Sequence, residues 1–83
     1  MRLDKYLKVS RIIKRRTVAN EACGLGRVLV NGKEAKPAVQ VKPGDILTIQ
    51  LGQKTINARI ESIQEHVQKA DAAAMYTILG EEE

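Results

Sequence analysis

The residues of this chain that could do chemistry are the cations of its first sixteen positions. This segment carries seven basic side chains against one carboxylate, Asp4; the basic residues are Arg2, Lys5, Lys8, Arg11, Lys14, Arg15 and Arg16. The rest of the chain has a small net negative charge, so the positive excess is confined to one fifth of the sequence. A concentrated cationic segment favours a polyanion through phosphate contacts and counterion release. Nucleic acid is therefore the leading class of partner, with a solvated helix face as the alternative.

The remaining residues offer no catalytic, metal-binding or cofactor-binding constellation. The sequence has a single histidine, His66, and a single cysteine, Cys23, which is too few for a zinc site or an intramolecular disulfide. Gly24 and Gly26 follow a predicted helix rather than a strand, so they do not form a dinucleotide-binding loop. We therefore predict a protein that is not an enzyme and that needs neither metal nor cofactor. Cys23 is expected to be a packing residue and His66 a surface residue.

Length and composition predict one small folded domain. The chain has 83 residues, of which 43% are hydrophobic and 29% charged, and this is ordinary globular usage. The N-terminus runs directly into charged residues, and no stretch approaches the roughly 18 apolar residues of a membrane span. These features predict a cytoplasmic protein with no membrane partner, the single cysteine predicts a reducing compartment, and we expect a monomer.

Two short helices are predicted to carry the cations. An apolar arc at helical spacing predicts a first helix over residues 3–9, with Asp4 on the opposite side. The helical spacing of apolar residues is lost at Val9-Ser10, which predicts a turn there. A second helix is predicted over about 15–24, with Thr17 as its candidate cap and Asn20 facing away from the buried arc.

A small, mainly antiparallel sheet is predicted after the helices. Asn31-Gly32 is typical of a two-residue primed turn, and Lys42-Pro43-Gly44-Asp45 of a type II turn. Strand patterns occur at about 27–30, 46–51 and 55–63. Further on, an alanine run predicts a helical turn or two, residues 76–79 could add an edge strand, and the last four residues are expected to fray. The predicted class is α+β.

Several of these motifs, in this order, resemble the alpha-L RNA-binding domain of the ribosomal small-subunit protein four type. The matching segments are residues 2–7, 14–17, 26–32, Lys36 and 41–46. The resemblance covers about residues 1–52 and implies two short N-terminal helices packed on a small sheet. On this basis we divide the chain into an alpha-L domain, 1–63, and a C-terminal extension, 64–83, with a short helix, a possible edge strand and an acidic tail.

The C-terminal residues narrow the resemblance. A free-standing domain that ends in Ala-Ala-Ala-Met-Tyr-Thr-Ile-Leu and glutamates is similar to the small bacterial quality-control members of this class, and also to its heat-shock RNA-binding members. The resemblance implies binding to ribosomal RNA of an obstructed large subunit that still carries peptidyl-tRNA. It also implies support for an RqcH-type tailing factor, which adds alanines to the stalled chain without a message.

The same resemblance assigns the RNA-binding face. It implies contacts from Arg2, Lys5, Arg11, Lys14, Arg15, Arg16 and Lys36, to which we add Lys8 from the cationic segment. Arg2 and Arg16 are the strongest candidates, because a guanidinium has planar forked donors for phosphate and can stack on bases. Asp4 is predicted to orient Arg2 or Lys5 and to complement the helix dipole.

Two other functions remain open from the sequence. The heat-shock relatives suggest a factor for large-subunit assembly or repair. The second alternative belongs to a different class of function: the basic face of this chain would dock an acidic protein. Dependence on peptidyl-tRNA separates the first alternative from quality control, and sensitivity of ribosome association to RNase separates the second.

Overall fold

The computed structural model describes residues 1–82, which fold as two helices followed by a five-stranded antiparallel sheet. The elements in chain order are α1 (Leu3–Val9), α2 (Arg16–Gly24), β1 (Val28–Val30), β2 (Lys33–Glu34), β3 (Ile46–Leu51), β4 (Lys54–Ile60), a 3-10 helix (Lys69–Met75) and β5 (Tyr76–Glu82). The strand order is β2-β1-β3-β4-β5. The predicted α+β class, with helices ahead of an antiparallel sheet, is confirmed. Within residues 1–82, no helix has the length and apolar run that crossing a bilayer requires.

The apolar arc of α1 lies at the centre of the core. Its fully buried apolar residues are Leu3, Tyr6 and Leu7, and they share one hydrophobic cluster with residues of α2 and the sheet. No side chain caps the start of α1. The amides of Leu3 and Asp4 instead donate to the carbonyls of Val39 and Pro37, at 2.8 and 3.2 Å. The loop between β2 and β3 therefore satisfies the first amides of α1 and fixes where this helix begins.

A tight reversal joins α1 to α2. Arg11 has a φ of 63°, in the left-handed region that non-glycine residues rarely adopt. Just after it, the amide of Ile13 donates to the carbonyl of Leu7 at 3.1 Å, and the Ile13 side chain is buried. The predicted turn is confirmed, and it presents Arg11 and Lys14 to solvent on either side of this buried anchor.

α2 begins at Arg16, close to the predicted start. Its N-cap is Arg15, which has extended backbone and makes no side-chain capping bond. The prediction that Thr17 caps this helix is wrong, because Thr17 lies inside the first turn and the extended conformation that an N-cap needs is adopted two residues earlier.

Both predicted turns of the sheet are confirmed. Asn31 and Gly32 have φ values of 52° and 83°, the pair of positive angles that a primed hairpin turn requires. Gly44 has a φ of 94°, and the Asp45 amide donates to the Lys42 carbonyl at 3.2 Å, as in a type II turn. A hydrogen bond of 3.1 Å from Asn31 Nδ2 to Asp45 Oδ1 links the two turns.

The C-terminal extension completes the sheet. β5 pairs antiparallel with β4, so the predicted edge strand is confirmed, and it is longer than predicted. The expected fraying is wrong for residues 80–82, which pair with Asn57, Ile56 and Thr55 across a register shift; Glu83 lies outside the described residues. β4 is shorter than predicted. It ends at Ile60, beyond which the chain bonds to Met75: the Glu61 and Ser62 amides both donate to the Met75 carbonyl.

Tyr6 fastens this extension to α1. Its fully buried hydroxyl donates to the Met75 carbonyl at 2.8 Å, across 69 residues of sequence. Burial, with smaller effects from Tyr76 and Glu61, raises the pKa of the Tyr6 phenol, so it stays a protonated donor.

Removal of this hydroxyl should weaken the whole fold. For Tyr6→Phe we expect a loss of about 1 kcal/mol in the free energy of unfolding, because the Met75 carbonyl keeps its backbone partners and only one neutral hydrogen bond is lost. Urea titration should show a lower midpoint with an unchanged slope. The matched control is Tyr76→Phe, whose hydroxyl has no such bond among the described residues. Equal midpoints for the two variants would contradict the anchoring role.

Candidate nucleic-acid interface

The buried carboxylate of Asp4 organises the two strongest candidate residues. Its side chain is 3% exposed and accepts hydrogen bonds from two elements. Arg2 donates through both Nε and Nη2 at 3.2 Å, and Arg16 Nη2 lies 3.4 Å from Oδ1. Asn20 Nδ2 donates at 3.3 Å and the Lys5 amide at 2.8 Å. We call Asp4, Arg2, Arg16 and Asn20 the Asp4 cluster.

The Asp4 cluster keeps its two positive guanidinium groups at the surface and its negative carboxylate buried. The side chains of Arg2 and Arg16 are 45% and 47% exposed, so each guanidinium touches Asp4 with one edge and faces solvent with the rest. A guanidinium has five N–H donors. Arg2 donates two of them to Asp4, and Arg16 donates one. Donors that remain free on a positioned fork are suited to phosphate oxygens.

The protonation state of Asp4 follows from its partners. Burial alone raises the pKa of this carboxyl, but the Asn20 hydrogen bond, the Arg16 charge, the Lys5 amide and the Arg2 charge together lower the pKa below its ordinary value of 3.8. Asp4 is therefore ionised at neutral pH and keeps both arginines paired.

The position of Asp4 differs from the sequence expectation. Its helical arc predicted a residue on the side away from the core, whereas α2 packs across α1 at this point and covers the carboxylate. The Asp4 carboxylate contacts the side chain of Arg2, one of the two residues it was predicted to orient. It also contacts Arg16, which was not predicted as a partner. The Lys5 ammonium pairs instead with Glu65 of the extension. Asn20 was missed, although its place one helical turn after Arg16 could have indicated a shared face.

A second group of candidate residues lies at the other end of α1. Lys8, Arg11 and Lys14 line a cleft of about 190 Å³ whose opposite wall is formed by the extension. We call this the cationic cleft; its other lining residues are Val9, Glu65, His66 and Val67. Glu65 and His66 were not predicted as part of any site, since nothing in the sequence links them to the turn after α1.

The remaining candidates are more dispersed. Arg15 is exposed at the start of α2. Lys36 is exposed in the loop after β2 and lines a separate depression with Cys23, Gly26 and Glu34. The structure thus groups Arg2 with Arg16, and Lys8 with Arg11 and Lys14, while Lys5 is engaged by Glu65.

The tyrosines and the cysteine do not join these groups. Tyr6 is fully buried and Tyr76 half-buried, so neither provides an open aromatic platform for consecutive bases. Cys23 is buried, and this burial, with the nearby charge of Asp4, raises the pKa of its thiol to about 11. The thiol is thus protonated at neutral pH and serves packing.

Comparison with known proteins identifies the architecture. Residues 1–47 match the model of the S4 domain. The fold superposes on the trimeric heat shock protein 15 of Vibrio cholerae with a TM-score of 0.87 and 32% identity, covering 94% of this chain and 80% of the other.

The sequence is similar over nearly its whole length to curated bacterial proteins. The RQC P-site tRNA stabilizing factor of Listeria innocua is 58% identical over 82 residues, which are 99% of this chain and 89% of the relative. The protein of the same name from Bacillus subtilis strain 168 is 52% identical, with 99% and 95% covered.

The lowered pKa of Asp4 predicts a specific loss of stability in acid. A carboxyl whose pKa is lower in the folded state stabilises the fold above its unfolded value and loses this contribution as the pH falls through the folded value. Below about pH 4, the free energy of unfolding of the wild type should therefore fall more steeply than that of Asp4→Asn. Chemical denaturation from about pH 6 down to 2 measures both curves, and parallel curves would contradict the prediction.

Proposed function

This chain belongs to the S4 domain family, among the RQC P-site tRNA stabilizing factors, and we propose that it is a non-catalytic RNA-binding factor of ribosome-associated quality control. The resemblance to quality-control members of the class is confirmed by full-length relatives at 52% to 58% identity. In this proposal the protein acts in the cytoplasm on large ribosomal subunits that are obstructed by peptidyl-tRNA, and it stabilises the tRNA in the P site.

The observation that carries the proposal is the Asp4 cluster. Two arginines from two different segments share one buried carboxylate, so they present half-exposed guanidinium groups in a fixed relation. Preorganised side chains lose less conformational freedom on binding than free ones, and more of the phosphate contact energy appears as affinity. RNA phosphates are the partner that this arrangement fits best.

Stabilising a tRNA position requires a difference in affinity. A ligand shifts an equilibrium only by as much as it binds one state better than the other. A protein that touches ribosomal RNA and P-site tRNA together favours the state in which both lie at the correct distance. The two cation groups at the two ends of α1 supply two such contact points.

The proposal also assigns individual residues and partners. The RNA-binding residues are Arg2, Lys5, Lys8, Arg11, Lys14, Arg15, Arg16 and Lys36, with Asp4 as the orienting residue. The partners are large-subunit ribosomal RNA, peptidyl-tRNA and an RqcH-type tailing factor, whose message-independent alanine addition the bound monomer supports. Lys5 contributes less than the arginines, because Glu65 already neutralises its charge.

Salt dependence tests the RNA interface. Co-sedimentation with large subunits carrying peptidyl-tRNA, over a salt series, should give a linear fall of log affinity with log salt. For Arg16→Ala we expect weaker binding and a slope smaller by about one, since one phosphate contact is lost. The matched control is Arg27→Ala, an exposed arginine beyond the other end of α2, which should leave the slope unchanged. Binding that ignores both salt and Arg16 would point to an acidic protein partner, and equal affinity for immature particles would favour assembly or repair.

Neutralising Asp4 separates positioning from net charge. Asp4→Asn makes the protein more cationic, so an interface governed by charge alone would bind RNA more tightly. We expect weaker binding, by roughly five-fold or more, because Arg2 and Arg16 lose the charge-assisted bonds that hold them. The measurement is the affinity for the same subunits at a fixed salt concentration. Tighter binding by Asp4→Asn would remove the orienting role.

A further inference from the structure

The cationic cleft has the composition of a nucleotide-binding site. Its near wall holds Lys8, Arg11 and Lys14, all exposed and none of them ion-paired among the described side chains. Its far wall is the extension, which contributes the imidazole of His66 and the half-buried Val67. One side of the cleft thus suits a phosphate, and the other suits the flat apolar face of a base.

The one carboxylate in the cleft is already neutralised. Glu65 pairs with Lys5 of α1, and the hydrogen bond and charge of Lys5 lower the pKa of this carboxyl, which keeps it ionised and paired. With this pair cancelled, the cleft carries a net charge of three positive side chains. The ion pair also connects the extension to α1 beside the cleft.

The backbone at Arg11 adds a second observation. This residue adopts the left-handed conformation, which costs an arginine roughly 1 kcal/mol relative to glycine. The conformation places a long cationic side chain on a tight turn that lines the cleft. Strained residues of this kind are concentrated where ligands are bound.

We propose that the cationic cleft binds one unpaired nucleotide of RNA, with its phosphate on Lys8, Arg11 and Lys14 and its base against His66 and Val67. The inference rests on the proposed function and adds to it a site partly formed by residues outside the 1–47 segment that matches the S4 domain. The cleft, of about 190 Å³, has room for a single base. An extruded or loop nucleotide is therefore the ligand, and a free nucleotide shares its chemistry.

Variants of His66 test the base contact. His66→Ala should bind subunits carrying peptidyl-tRNA roughly five-fold or more weakly, with an unchanged salt slope, because a stacking contact to a base releases no counterion. His66→Phe keeps a planar ring and should restore the affinity. Lys14→Ala should lower the salt slope by about one. The matched control, Gln64→Ala, alters an exposed neighbour that does not line the cleft and should behave as wild type.

The possible results are distinct. If His66→Ala binds like Gln64→Ala while Arg16→Ala still weakens binding, the cleft inference fails and the proposed function stands. If His66→Phe is as weak as His66→Ala, the base does not lie on the ring and the inference fails. If no variant changes affinity, the proposed function itself fails. Titration with adenosine 5′-monophosphate, followed by amide chemical shifts, covers the free ligand: saturation at the cleft without any effect of His66→Ala on subunit binding would overturn the RNA assignment.

Discussion

A buried carboxylate between two helices is the constraint on which the functional surface depends. An ionised Asp4 is costly to bury alone, and it is tolerated because five donors converge on it from α1, α2 and the residue before α1. Those donors must stay where they are for the charge to remain satisfied. The electrostatic requirement of one interior group therefore fixes the geometry of two surface arginines, so the surface that we propose faces RNA is positioned by a buried residue.

The C-terminal extension has a comparable role for the other end of α1. It is attached to this helix by a neutral hydrogen bond from Tyr6 and by a charged contact to Lys5, and it adds the fifth strand to the sheet. A chain of this size buries a smaller fraction of its surface than a larger domain does, so an extension that adds a strand and brings Met75 into the core contributes a sizeable part of its stability. The same segment supplies one wall of the cationic cleft, so the proposed nucleotide site and the stability of the fold depend on one element.

The sequence predicted local structure well and contacts between distant segments poorly. The helices, the Asn31-Gly32 turn and the Gly44 turn each depend on neighbouring residues, and all are present. Helical periodicity assigned Asp4 to a side of its own helix, but it carries no information about a second helix that crosses there. The Lys5 pair with Glu65 spans 60 residues and leaves no periodic signal. The acidic end looked unstructured by composition, yet β4 offers it a partner for pairing.

The acidic end of β5 has a consequence for how the molecule meets its target. From the Met75 contact beneath α1, the chain runs along β5 for six residues, roughly 20 Å, to Glu81. Glu81 pairs there with Lys54, at 3.2 Å, so the charges at this end of the edge strand cancel, whereas the cations of the helices outnumber the carboxylates near them. In the field of a polyanion this uneven distribution of charge produces a torque that turns the helices forward during diffusion. Under the proposed function, orientation is then partly settled before first contact, and the exposed strand edge, which could pair with another chain, is directed away from the RNA.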